Sequence, residues 1–204
     1  IYFWKQPTEP SSAPTAPTAD ASNVISVFSD VYTDIAASNF DPDWGQGTDA
    51  TITTIANNEV YKQANLNYQG LNIGSADGNT LNDISSMEYL HIDYWSADFD
   101  QVKFFLIGSG GEVSYDLDVT SKGAWLSADI PLSTFSAATL TEIKQIKTDA
   151  TGDSSTGSGV FYLDNIYFWK QPTEPSSAPT APTADASNVI SVFSDVYTDI
   201  AASN

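Results

Sequence analysis

The sequence predicts an all-β fold, an antiparallel two-sheet β-sandwich of jelly-roll type, repeated in tandem and joined by Pro/Thr/Ser-rich linkers. Short runs of alternating apolar and polar residues recur between turn residues, with almost no helical periodicity. About nine or ten such runs fit within roughly 150 residues without crossover helices, a pattern that stacks two antiparallel sheets. Residues 1–39 also return letter for letter as residues 166–204, an offset of 165 residues, which is the period of an array.

In chain order, residues 1–5 read as the end of a preceding repeat and residues 6–21 as a linker. Residues 22–170 form the complete sandwich module, residues 171–186 a linker copy, and residues 187–204 the first part of the next repeat. Proline fixes φ and removes backbone donors, so QPTEPSSAPTAPTA at residues 6–19 reads as an extended spacer. A fibre would hold this spacer against neighbouring modules. Thr8, Ser11, Ser12, Thr15 and Thr18 lie among its prolines as candidate O-glycosylation sites.

Within the module the first strand falls at residues 24–28, followed by strands at 50–55 and 64–68. Leu90, Ile92 and Tyr94 alternate with His91, Asp93 and Trp95, and residues 102–107, apolar on both faces, read as a central strand covered on both sides. Val113, Tyr115, Leu117 and Val119 alternate with Ser114, Asp116, Asp118 and Thr120 as a half-buried strand. A run at Leu126, Ala128 and Ile130 ends at Pro131, and residues 143–148 and 160–169 complete the set. Turn signals stand at residues 77–79, 108–111, 122–123 and 152–159, and a single helical turn fits near residues 85–87 or 132–135.

The chain carries 26 acidic and 7 basic residues, a net charge of −19, which would repel nucleic acid and anionic membrane surfaces. Without cysteine it has no thiolate metal site or cysteine nucleophile. No apolar run approaches the ~20 residues of a membrane-spanning helix, so membrane insertion is not expected. Its acidic, Ser/Thr/Asn/Gly-rich composition associates with secreted bacterial surface proteins.

The stretches SNVISVFSDVYTD (residues 22–34), WGQG (44–47), ANLNYQG (64–70), LHIDYWSAD (90–98), GAWLSADIPLSTF (123–135) and FYLDNIYFW (161–169) together resemble jelly-roll carbohydrate-binding-type modules. Such modules occur in tandem or appended to bacterial polysaccharide-processing and surface proteins. The most specific parts are W-x-x-x-x-I-P-L-S-x-F and the closing Y-L-D-N-I-Y-F run. The resemblance implies a structural Ca²⁺ joining the first and last strands, with Asp30 and Asp164 as ligands and Asp34 as a further candidate. Calcium takes six to eight hard oxygen ligands; the alternative is that these acids merely cap turns.

Sugar recognition requires flat aromatic faces flanked by amides and carboxylates. Trp44, Tyr61, Tyr68 and Trp95, read as loop or outward-facing residues, offer such a platform with His91 and Asp93 nearby; the same aromatics could instead serve an interface between repeats or the core. Trp125 reads as structural. His91 is the single histidine, and no clustered pair of carboxylates announces a glycosidase, so no catalytic residue is assigned. The leading expectation is a non-catalytic extracellular fibre, structural or adhesive, of calcium-stabilised modules touching neighbouring copies of the same repeat. The alternative is a carbohydrate-binding array that gains avidity for a polysaccharide.

Overall fold

Period-two alternation places one set of side chains inward along each strand, and the ten strands among the described residues stack into two antiparallel sheets around that set. They are β1 (Val24–Phe28), β2 (Asp49–Ile55), β3 (Asn58–Ala64), β4 (Tyr68–Asn72), β5 (Tyr89–Ser96), β6 (Gln101–Gly108), β7 (Gly111–Asp118), β8 (Trp125–Pro131), β9 (Ile143–Asp149) and β10 (Val160–Trp169). The computed structural model describes residues 8–173 and 179–200, and the chain divides into two compact units between Gln171 and Pro172. Residues 1–5, expected as the end of a preceding repeat, lie outside the described residues.

In the first unit, the larger sheet runs β2-β3-β10-β5-β8, with β1 also paired to β10; the smaller runs β4-β9-β6-β7. β3 pairs with the first half of β10, Leu163 opposite Tyr61, and β1 with the second half, Val24 opposite Trp169. The two therefore meet end to end beside Asp164 and Asn165, where β10 carries a bulge and Asn165 takes φ +47°. Leu90, Ile92, Phe104, Leu106, Ile146, Phe161, Leu163 and Phe168 fill the space between the sheets.

The β2–β3 hairpin turns on Ala56 and Asn57, both at positive φ, as a two-residue hairpin of matching twist requires. The expected strand at residues 64–68 is instead the break between two strands. Asn65 adopts φ +54°, a left-handed conformation that asparagine tolerates and a strand does not, so the chain leaves one sheet and enters the other. β6 is central, between β7 and β9, yet it is not covered on both faces, because Lys103 on its outer side is exposed and Phe105 half-buried. The expected helical turn after β8 is a 3₁₀ segment, Leu132–Ala138.

The linker belongs to this first unit. Pro10 is buried, the Trp125 indole N–H donates to the Ser12 carbonyl at 2.7 Å, and the Tyr32 hydroxyl donates to the Ala19 carbonyl at 2.8 Å. The segment thus lies along the outer face of the larger sheet, over Trp95 and Trp125 at one end and His91, Tyr167 and Trp169 at the other. The spacer expected to reach a neighbouring module is seated on the module that follows it.

The second unit repeats local features of the first. Asp185 caps a short 3₁₀ turn at Ala186–Asn188, as Asp20 caps Ala21–Asn23. Ser191 forms a parallel bridge with Asp199, as Ser26 does with Asp34.

Candidate functional site

Strand parity sorts the aromatic candidates. Leu71, Ile146 and Leu106 point into the core, so Tyr68 and Gly70 on β4, Gln145 and Lys147 on β9, and Lys103 and Phe105 on β6 face outward from the smaller sheet. Register aligns them in rows: Gly70 with Lys147 and Phe105, and Tyr68 with Asp149 and Lys103.

Gly70 is what lets this face hold a flat ring. A Cβ at this position would meet three atoms of the Trp44 indole at 2.6 Å, so the ring lies against bare backbone. A glycine inside a strand commonly marks such a close approach. The loop carrying Trp44 is fixed from several directions: its N–H donates to the Gln46 side-chain carbonyl at 2.7 Å, its carbonyl accepts from the Tyr68 hydroxyl at 3.0 Å, and the Gln46 amide donates to the Pro42 carbonyl at 2.8 Å.

Beside the indole, the Lys147 ammonium lies 3.9 Å from the centre of the Phe105 ring and 2.5 Å from a Glu112 carboxylate oxygen. The Gln145 amide donates to the Asn72 side-chain oxygen at 2.9 Å. At one end the Gly74–Thr80 loop closes over this pair, with Gly78 so near that a Cβ would touch the Gln145 amide. At the other end Gln101, Lys103 and Asp149 line a recess of about 260 Å³ with residues 150–153. The face therefore presents half-buried aromatic surface at Trp44, Tyr68 and Phe105, interleaved with amides, two ammonium groups and carboxylates. Phe105 and Lys147 were not singled out from the sequence, although the apolar outward position of Phe105 and the strand glycine at 70 were the available signals.

The remaining platform candidates lie elsewhere. Tyr61 points inward, contrary to expectation: it is a buried core residue whose hydroxyl donates to the Phe40 carbonyl. Trp95 does face outward from the larger sheet, but it is buried, packed with Val60 and Tyr162 and covered by the linker. His91 and Asp93 share that covered face. The His91 Nδ1 lies 2.8 Å from Asp129, its Nε2 3.4 Å from Asp93, and its ring stacks on Tyr167 at 4.7 Å. Burial opposes the imidazolium, and the carboxylates of Asp93 and Asp129 outweigh it, raising the His91 pKa. Trp44 and Tyr68 are thus brought together on one face, and His91, Asp93 and Trp95 on another.

The calcium candidates cluster near the β1–β3–β10 junction. The Asp164 carboxylate is buried, accepting from the Asn58 amide and the Asn165 N–H, each at 2.6 Å. Desolvation, with added repulsion from Asp93 and Asp30, raises its pKa to about 7. Asp30 accepts from the Glu59 N–H at 2.7 Å, while Asp34 accepts from the Ser26 hydroxyl at 2.5 Å and the Ser29 N–H at 3.3 Å. Each carboxylate is committed to a different donor, and among the described residues no three His, Cys, Asp or Glu side chains form a metal-binding group. The glycosylation candidates Thr8, Ser11, Ser12, Thr15 and Thr18 are all exposed. Among the described residues no helix is long and apolar enough to cross a membrane.

No family model matches the chain, and no curated protein matches it. Among solved structures, the chain is similar to a family 11 carbohydrate-binding module from Clostridium thermocellum in complex with a β-1,3-1,4-mixed-linked tetrasaccharide. The two are 16% identical, with a TM-score of 0.44, over 66% of this chain and 88% of that one. It is also similar to a family 30 carbohydrate-binding module, at 11% identity and a TM-score of 0.48, over 78% of this chain and 93% of that one.

Proposed function

We propose that the outer face of the smaller sheet binds a polysaccharide chain without chemically altering it. The supporting observation is the Trp44 indole held flat against Gly70, beside Tyr68 and Phe105. A planar apolar surface fixed before binding suits the C–H face of a pyranose ring, and a preorganised aromatic loses little entropy on contact. Lys103, Gln145, Lys147 and Asp149 border the rings at outward strand positions and supply the donors and acceptors that sugar hydroxyls need. Two of the chain's seven lysines stand here, so this face is less acidic than the molecule as a whole. Such modules strung along an extracellular chain would engage a polymer many times over, raising avidity with no new contact.

Affinity electrophoresis of the whole chain through gels containing soluble β-glucans, agarose-type galactans or xylans tests this reading. Retention by at least one polymer, lost in Trp44→Ala and kept in Tyr115→Ala, is expected; Tyr115 is an exposed aromatic on β7 that belongs to the other side of that strand. Migration unaffected by every polymer, or retention unchanged by Trp44→Ala, would overturn it.

A further inference from the structure

Among the described residues, the outer strands of the two sheets are guarded, with one exception. On β7, Glu112, Asp116 and Asp118 supply like charges that repel a second strand. The other edge of the smaller sheet, β4, is capped by Asn39, which bridges Asn72, and by the Thr48 hydroxyl, which donates to the Tyr68 carbonyl at 2.9 Å. In the larger sheet, β8 carries Asp129 and Pro131. The open side of β1 is closed where the Ile35 N–H donates to the Ser26 carbonyl at 2.8 Å. Charge, proline and covering segments are the usual means by which a protein prevents edge-to-edge pairing.

The exception is β2. It ends the larger sheet, paired on one side with β3 in unbroken register from Asp49 to Ile55. Its sequence, DATITTI, is uncharged after Asp49 and rich in β-branched residues, in a chain of net charge −19. Asp49 itself accepts from the Asn65 amide at 2.7 Å. The direction of the backbone groups on β2 follows from its neighbour. The Glu59 N–H, opposite Thr54, donates away from β2 to Asp30 at 2.7 Å, so Thr54 and Glu59 form a non-bonded pair. Bonded and non-bonded pairs alternate along an antiparallel ladder, so Thr54, Ile52 and Ala50 all turn N–H and C=O toward the open edge. Ile52 is 45% exposed, although its side chain lies with that of Ala50 on the core side of the sheet.

We propose that β2 pairs with β2 of a second copy of this chain, antiparallel about a two-fold axis at Ile52. The three open positions are symmetric about that residue: Ile52 meets Ile52, and Ala50 of each copy meets Thr54 of the other. Each such pair exchanges two backbone hydrogen bonds. The two Ile52 side chains come to lie side by side on one face and cover each other. Asp49 falls opposite Ile55 of the other copy, so no carboxylates are opposed, and two strongly acidic molecules meet along a strip that carries little charge. The gain comes without exchange, since the edge gives up no contact that the single chain already makes. A two-fold contact uses the same surface on both partners and closes at a dimer.

Sedimentation equilibrium of the 204-residue chain over a hundredfold concentration range reaching about 1 mM, together with disulfide trapping, tests this. One strand pair is a small interface, so the dimer is expected to be weak, with Kd on the order of 100 μM. The mean mass should climb from 21.9 kDa toward twice that value. Ile52→Lys opposes two ammonium groups at the axis and should hold the mass at that of one chain throughout, with Tm unchanged. The chain has no cysteine, so single introduced thiols report register. Ile52→Cys should oxidise to a covalent dimer, since directly paired Cα atoms lie about 5.5 Å apart, within disulfide reach. Thr54→Cys alone should not, because its two copies stand about 14 Å apart along the ladder, yet mixed with Ala50→Cys chains it should cross-link. A mass constant at every concentration would overturn the proposal and leave the edge to a strand of some other protein. Association that survives Ile52→Lys, or Thr54→Cys cross-linking as readily as Ile52→Cys, would overturn it as well.

Discussion

Gly70→Ala is a small substitution whose effect can be worked out from contacts. β4 has ordinary extended backbone here, and Gly70 is absent from the positive-φ positions, so alanine brings no backbone strain. Its methyl, however, would sit 2.6 Å from three indole atoms of Trp44, where ordinary carbon contacts begin at about 3.5 Å. The ring must lift by about 1 Å while hydrogen bonds through Gln46 and Tyr68 hold its backbone in place. Overpacking of this kind costs about 1–3 kcal/mol, which for a module of this size lowers Tm by roughly 2–12 °C. Displacing a central aromatic anchor should also weaken polysaccharide binding by about 2 kcal/mol or more, roughly thirtyfold. The assay is a double-mutant cycle of Gly70→Ala and Trp44→Ala, read by thermal melting and by binding of whichever polymer retains the wild type. With the indole removed, Gly70→Ala should cost almost nothing, leaving a coupling of about 1–3 kcal/mol between the two positions. If the two effects simply add, the indole does not rest on Gly70 and the binding face loses its foundation.

Asp164 makes stability depend on pH. Its folded pKa of about 7 lies above the unfolded value near 4, so the folded state binds the extra proton, and stability present at pH 4 is lost as pH rises through 7. Asp164→Asn should flatten that decline and gain on the order of 2–4 kcal/mol at pH 8 relative to wild type, with the difference vanishing at pH 4. Melting curves at the two pH values check this; an equal difference at both would refute it. The calcium expected from the sequence has a separate test. With the carboxylates committed to Asn58, Glu59 and Ser26, added chelator should leave Tm unchanged, and a fall on chelation reversed by millimolar Ca²⁺ would show that the junction rearranges around an ion.

Legibility from the sequence followed the range of the physics involved. Alternation is local, so the strand containing Val113, Tyr115 and Leu117 and the long closing strand could be read directly, and parity placed His91, Asp93 and Trp95 on one face. What covers that face is not local. Pro10 and the residues after it read as an extended spacer held against neighbouring modules, because proline composition reports backbone stiffness, not the aromatic surface on which the segment comes to rest. Tyr61 was misplaced for a related reason: Val60, Tyr61 and Gln63 on β3 are all buried, so apolar and polar residues do not alternate there and parity gives no direction. The break at Asn65 depended on one left-handed residue. Trp44 and Tyr68 were found individually, but their meeting over Gly70 joins a loop to a strand, and the sequence shows no such contact.

The pairing of β1 with β10 also fixes how the module would respond to tension. The Lys170 N–H donates to the Asn23 carbonyl at 3.1 Å and Val24 stands opposite Trp169, so once the linker is peeled from the outer face, the first strand begins and the last strand ends at neighbouring points on one rim. Pulling those two points apart loads the antiparallel pair from its open end, and the hydrogen bonds give way singly, like a zipper, rather than sharing the load in shear. The module would yield at low force, dissipating a sudden tug while its two ends stay attached.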